Sequence, residues 1–257
     1  MKSLMRWGAV LSLVGSALLG PTLSGNMQAL ALPEEQVMQK LRPVPVFTIT
    51  DAQGAPLIAS VANGGKQTSV AGVFISQQDA KAFVEQLKTK NPQLAQSVKV
   101  VPVSLAEVYK MDKANQGKAE RVDFTYVPMK QQVDSAVALL RQQGQQVNQF
   151  NGVPMFMATG GPENGYLTIQ RGNEQVIPVF FKKEDLQAML DKFKQQQPDL
   201  AAKVQIKVVN LEGVIDTLQK GNDQELNQIV LVPPRETLEF IRSLPQAPGQ
   251  NPAKPKP

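Results

Sequence analysis

Two carboxylate pairs come nearest to catalytic spacing in this chain of 257 residues: Glu107 with Asp112, and Glu184 with the adjacent Asp185. Two acids flanking a glycosidic bond can run acid–base hydrolysis without other catalytic groups. Other routes are closed, because the sequence contains no His and no Cys. That removes imidazole bases, imidazole metal sites, thiol nucleophiles and disulfides. The four acids fall on helix surfaces or first helical turns, where a carboxylate caps a helix end or faces water. A sugar cleft also needs aromatic platforms. The single Trp is Trp7, near the N-terminus, and there are three Tyr. No nucleotide or metal motif occurs. The run Gly160-Gly161-Pro162-Glu163-Asn164-Gly165 lies between two strand-like stretches, so it reads as a hairpin turn and not as a phosphate cradle. The chain is expected not to be an enzyme and to carry no cofactor and no metal.

Residues 1–31 read as a secretory signal peptide. Lys2 and Arg6 precede an apolar run from Trp7 to Leu19, and Ala29-Leu30-Ala31 supplies the small-x-small cleavage pattern. Without that segment 25 Lys and Arg remain against 22 acids, a balance of +3. This is too weak a charge to recruit nucleic acid. Glutamine fills 30 positions, so the polar surface is largely neutral.

The remainder reads as a tandem repeat. Val73 to Tyr109 aligns without gaps on Val179 to Ile215, with 12 identities in 37 positions. Val44-Pro45-Val46-Phe47 matches Val153-Pro154-Met155-Phe156 upstream, and Tyr126-Val127-Pro128 matches Leu231-Val232-Pro233 downstream. Each copy opens with three strands: 44–50, 56–61 and 68–75, then 153–158, 166–170 and 175–181. A helix with one apolar stripe follows. Its positions are Ala80, Phe83, Val84 and Leu87, or Leu186, Met189, Leu190 and Phe193. Ser76 and Asp79 suggest a capped start, and Pro92 and Pro198 a stop. Then come a strand (98–105 or 204–211), a short helix, a strand (124–127 or 229–232) and a closing amphipathic helix (130–142 or 235–243).

Hairpin strands trailed by helices imply an α+β fold with two pseudo-symmetric lobes, each a sheet with helices on one face. The expected units are signal peptide 1–31, first lobe 32–148, second lobe 149–244 and a disordered Pro-rich tail 245–257, with a hinge at Gly144. The adaptable apolar side chains stand out. Phe47, Phe74, Met129, Met155, Met157, Phe180 and Phe181 are the residues expected to line an apolar groove for clients or partners.

The Leu41–Phe47 opening, Gly72–Ala80 and its counterpart Pro178–Leu186 resemble the Tic twenty-two-kilodalton family, named for a chloroplast translocon component. The likeness runs over the whole chain after residue 31 except the tail. It implies a two-lobed fold with apolar pockets and no catalytic motif. It further implies a soluble periplasmic protein, with the thylakoid lumen as the other address such a signal serves. The expected role is a chaperone-like targeting factor in protein translocation and outer-membrane biogenesis. Its expected partners are unfolded precursor proteins and an outer-membrane Omp85-type protein, with peripheral membrane contact, no nucleotide and no nucleic acid. The alternative is a structural scaffold subunit docked permanently to an Omp85-type or translocon partner.

Overall fold

The computed structural model describes residues 11–13, 32–63, 66–118, 121–161, 164–221 and 224–244. Most of residues 1–31, the expected signal peptide, and all of residues 245–257, the expected tail, lie outside these residues. The chain begins with β1 (Leu11–Leu13), α1 (Glu34–Leu41), β2 (Pro45–Thr50), β3 (Ile58–Asn63) and β4 (Lys66–Phe74). It continues with α2 (Gln77–Lys90), α3 (Pro92–Ser97), β5 (Lys99–Ser104), α4 (Leu105–Asn115), β6 (Val122–Val127) and α5 (Lys130–Gln142). The second half holds β7 (Pro154–Gly160), β8 (Gly165–Arg171), β9 (Glu174–Phe180), α6 (Lys183–Gln196) and α7 (Pro198–Ala201). It closes with β10 (Gln205–Asn210), α8 (Leu211–Lys220), β11 (Ile229–Val232) and α9 (Arg235–Ser243). The fold is α+β, as expected from the sequence.

The two halves build two sheets with the same pairings. β2 pairs antiparallel with β4 and β5, β3 with β4, while β6 runs parallel to β4. β7 pairs likewise with β9 and β10, β8 with β9, while β11 runs parallel to β9. The registers correspond too: Phe47 faces Phe74, and Phe156 faces Phe180.

Local signals place the elements. Ser76 Oγ accepts from Asp79 N at 3.3 Å and starts α2. A full capping box, with Ser104 Oγ on Ala106 N and Glu107 Oε2 on Ser104 N, starts α4. Pro92 and Pro198 do more than end helices. Each occupies the first turn of a further short helix, α3 or α7, where its missing N–H costs nothing. α1 was not expected at all. Gly144 is a helix cap and not a hinge: at φ +84° it follows α5, with Gly144 N on Arg141 O and Gln145 N on Leu140 O.

The layering departs from one-sided sheets. Each sheet has a buried cluster on both of its faces. A central cluster joins the halves: Val37 and Leu41 from α1, Leu105 and Val108 from α4, and Leu211 and Leu218 from α8. These pack on Val46 and Val73 of the first sheet and on Met155 and Val179 of the second. On the outer face of the second sheet, Phe156, Leu167, Ile169 and Phe180 pack with Leu186 and Phe193 of α6 and Ala136 of α5. On the outer face of the first sheet, Phe47, Ile49 and Phe74 pack with Ala80 of α2 and Phe240 of α9.

The closing helices therefore cross over. α5 leaves the first sheet and packs on β7 and β10, while α9 leaves the second sheet and packs on β2. The Phe47 and Phe240 rings meet at 5.8 Å. Residues 148–149 thus mark an order along the chain and do not separate two cores.

Gln132 fastens one crossing. It is buried on α5, and its amide donates to Glu184 Oε2 at 2.8 Å while its carbonyl accepts Lys183 N at 2.9 Å. Lys182, the N-cap residue of α6, makes no side-chain cap bond, so Gln132 caps α6 from another helix. Replacing Gln132 with Ala should lower stability by about 1–2 kcal/mol, measured by urea unfolding. Tyr126 makes a second test. It packs against the central cluster; burial pushes its phenol well above the ordinary value, and Asp112 and Glu212 add to the effect. Ionisation is then disfavoured in the fold, so stability falls as pH rises past the unfolded phenol value of about 10. Tyrosinate absorbance of the native protein should show a delayed step, absent in Tyr126→Phe and in denaturant.

Candidate functional site

The candidate acids are all taken up by structure. Glu107 belongs to the capping box, and Gln116 donates to Asp112 at 3.4 Å. Glu184 accepts from Gln132, and the backbone of Arg235 donates to Asp185, whose carboxyl is nonetheless pushed up by burial. Glu107 and Asp112 border different cavities. Among the described residues, no cluster of acids could hold a metal ion. No described helix is long and apolar enough to cross a membrane.

The seven expected groove residues do not share a groove. Met155 and Phe181 are fully buried in the central cluster, with Met157 beside them and Met129 partly buried against it. Phe47 and Phe74 lie in the outer cluster of the first sheet, and Phe180 in that of the second. Phe180 and Phe181 do point to opposite faces, as neighbours on a strand must. Of the seven, Phe74 and Met157 line cavities, and those cavities are different. A run of Met and Phe marks the most apolar strands, and those are the strands a core buries first.

The open apolar surface lies on the outer face of the first sheet. A groove of about 660 Å³ runs over β3, β4 and β6. Its floor is Leu57, Ala59, Val61, Val70, Gly72 and Ile49, and its rim toward β6 carries Asp123 and Thr125. The pleat explains the set: Ala59 faces Val70, Val61 faces Thr68, and Gly72 faces Thr125, so these residues share one face. Gly72 keeps the floor low, since a Cβ there would meet the Phe74 ring at 3.1 Å. Phe83 of α2 forms the wall, its ring tilted against Phe74 at 5.6 Å. Phe83 is 43% exposed and Val61 46%.

Phe83 belongs to the helical stripe expected to face the core. In α2 that stripe buries Ala80 alone, whereas α6 buries both Leu186 and Phe193. In the second sheet Leu167, Ile169 and Val176, which match Leu57, Ala59 and Val70, are buried, while Arg171, which matches Val61, is exposed. The sequence held one signal of the difference: Ala59 and Gly72 are small where Ile169 and Pro178 are larger. A second cavity of about 470 Å³ opens on the inner face of the first sheet, lined by Val73, Val101, Val103, Val108 and Met111.

Comparisons with known proteins agree with this architecture. Residues 2–243 match the model of the Tic22-like family. The chain is 26% identical to the chloroplastic protein TIC 22 of Pisum sativum over 223 residues, 86% of this chain and 82% of that one. It is 30% identical to the chloroplastic TIC 22 of Arabidopsis thaliana over 199 residues, 77% and 67% of the two chains. Among solved structures, Anabaena Tic22, described as a protein of protein transport, superposes with a TM-score of 0.74 at 38% identity, over 84% of this chain and all of that one. Tic22 from Plasmodium falciparum shares the fold, with a TM-score of 0.62 at 19% identity over 80% and 95% of the two chains. Two sheets with matching pairings, a shared central helix layer and these matches over most of the chain lead to one conclusion: this chain belongs to the Tic22-like family, which is involved in protein transport.

Proposed function

We propose that this protein is a periplasmic, chaperone-like targeting factor that holds apolar stretches of precursor proteins and passes them to an outer-membrane Omp85-type partner. The carrying observation is the groove over β3, β4 and β6, an apolar channel left open on a sheet whose counterpart is closed. Its wall and floor hold two of the exposed large apolar side chains, Phe83 and Val61. Contiguous apolar surface of this kind marks a binding face on a soluble protein. Covering roughly 300 Å² of client surface at about 25 cal/mol per Å² is worth on the order of 7 kcal/mol before ordering costs. That strength suits reversible holding without nucleotide. The transport role of the family and the description of the Anabaena relative support the same reading.

The test is a holding assay. Stoichiometric protein should slow aggregation of an unfolded outer-membrane protein. Phe83→Asp and Val61→Asp should each weaken holding several-fold while the protein stays folded, each costing about 1 kcal/mol in urea unfolding, since both side chains are only partly buried. Holding that survives both changes would sink the proposal. A single stoichiometric complex with one partner and no client range would favour a scaffold subunit instead.

A further inference from the structure

The open edge of β3 matches a stretch of the second sheet that already carries an added strand. Beyond Tyr166, β8 is flanked on its outer edge by β1, with Leu11 opposite Ile169, Ser12 opposite Thr168 and Leu13 opposite Leu167. The corresponding stretch of β3 follows Pro56. Thr50 bridges Pro56 as Thr159 pairs with Tyr166, and Ala59 faces Val70 as Ile169 faces Val176. Leu57, Ile58 and Ala59 therefore stand where Leu167, Thr168 and Ile169 stand. Among the described residues, no strand pairs with this outer edge of β3.

The unused backbone groups can be assigned. Asn63 faces Lys66 across two intervening residues. The pair beside such a turn exchanges both hydrogen bonds, and bonded pairs alternate along the ladder. Ala59 and Val61 thus bond to β4, while Ile58, Ser60 and Ala62 turn their N–H and C=O groups outward. No proline or charged residue guards this edge between residues 58 and 62. Directly opposed residues share a face. A strand added in the β1 register would place a small residue over Ile58 and two large apolar residues beside Leu57 and Ala59, on the groove side.

We propose that β3 captures an extended polypeptide segment of the pattern large apolar–small–large apolar, such as Leu-Ser-Leu, as an added antiparallel strand whose apolar side chains enter the neighbouring groove. The proposal rests on the holding function above and states its recognition rule. Backbone pairing gives tolerance of sequence, and the alternate side chains give the preference for apolar segments.

The probe is a labelled peptide carrying residues 8–16 of this sequence, added to the full chain. Hydrogen exchange should slow at Ile58, Ser60 and Ala62 and stay unchanged at Ala59 and Val61. N-methylation of the peptide at its Ser12 position, which faces β3, should weaken binding by about tenfold or more, whereas methylation at its Leu13 position should change it by less than about twofold. Ile58→Pro, which removes an outward N–H and no β4 bond, should act like the Ser12 methyl group. Binding that is lost in Phe83→Asp yet brings no protection to Ile58, Ser60 or Ala62 would overturn strand addition and leave the groove reading intact. Protection that grows with protein concentration in the absence of peptide would assign the edge to a second copy and overturn the proposal. Failure of the holding assay itself would remove the reading beneath it.

Discussion

A sheet with apolar residues on both faces needs a cover on each side, and here the covers are shared between the halves. The inner faces meet a common layer of α1, α4 and α8, whose Val37, Leu41, Leu105 and Leu211 are fully buried. The outer faces take helices from the other half, α9 over β2 and α5 over β7 and β10. Neither sheet is fully covered by its own half. The cap that Gln132 gives to α6 across the crossing follows from this shared burial. Hydrophobic burial is non-directional, so it permits such sharing wherever chain length allows.

The sharing is unequal, and the inequality makes the groove. The outer cluster of the second sheet has nine buried residues and that of the first has four, so the first face is left underpacked. Ala59 and Gly72 supply too little volume to fill the space under α2, and Phe83 leans over it against Phe74. A core with that gap would lose stability in an ordinary domain. In the proposed holding role the same gap is the working surface.

Much of the local structure was legible in the residues. Apolar runs split by Gly/Asn turns placed all six meander strands within about three residues, and the helical stripe located α2 and α6, because turn chemistry and side-chain periodicity are local properties of the chain. Capping by Ser76 was legible for the same local reason. α1 escaped because it has only eight residues and its apolar positions, Val37, Met38 and Leu41, are too few to show a period, although Glu34 and Glu35 at its start are a helix signal. The layout of the candidate site was not legible. Met155 and Phe181 are what an adaptable binding surface would contain, yet they are also what a core takes first, and composition does not separate the two.

The sequence by itself determined the order and type of the elements, the absence of imidazole and thiol chemistry and the likeness between the halves. These depend on residues near one another in the chain or on residue types alone. The tertiary structure alone decided which faces are covered, because coverage depends on where α5 and α9 pack after leaving their own sheets. It turned Gly144 from a possible hinge into a helix cap. It also placed the open apolar surface at Val61, Gly72 and Phe83, where Phe74 is the one expected residue that takes part. Burial is a sum over partners distant in sequence, and a local pattern can show that a face is apolar without showing what will lie against it.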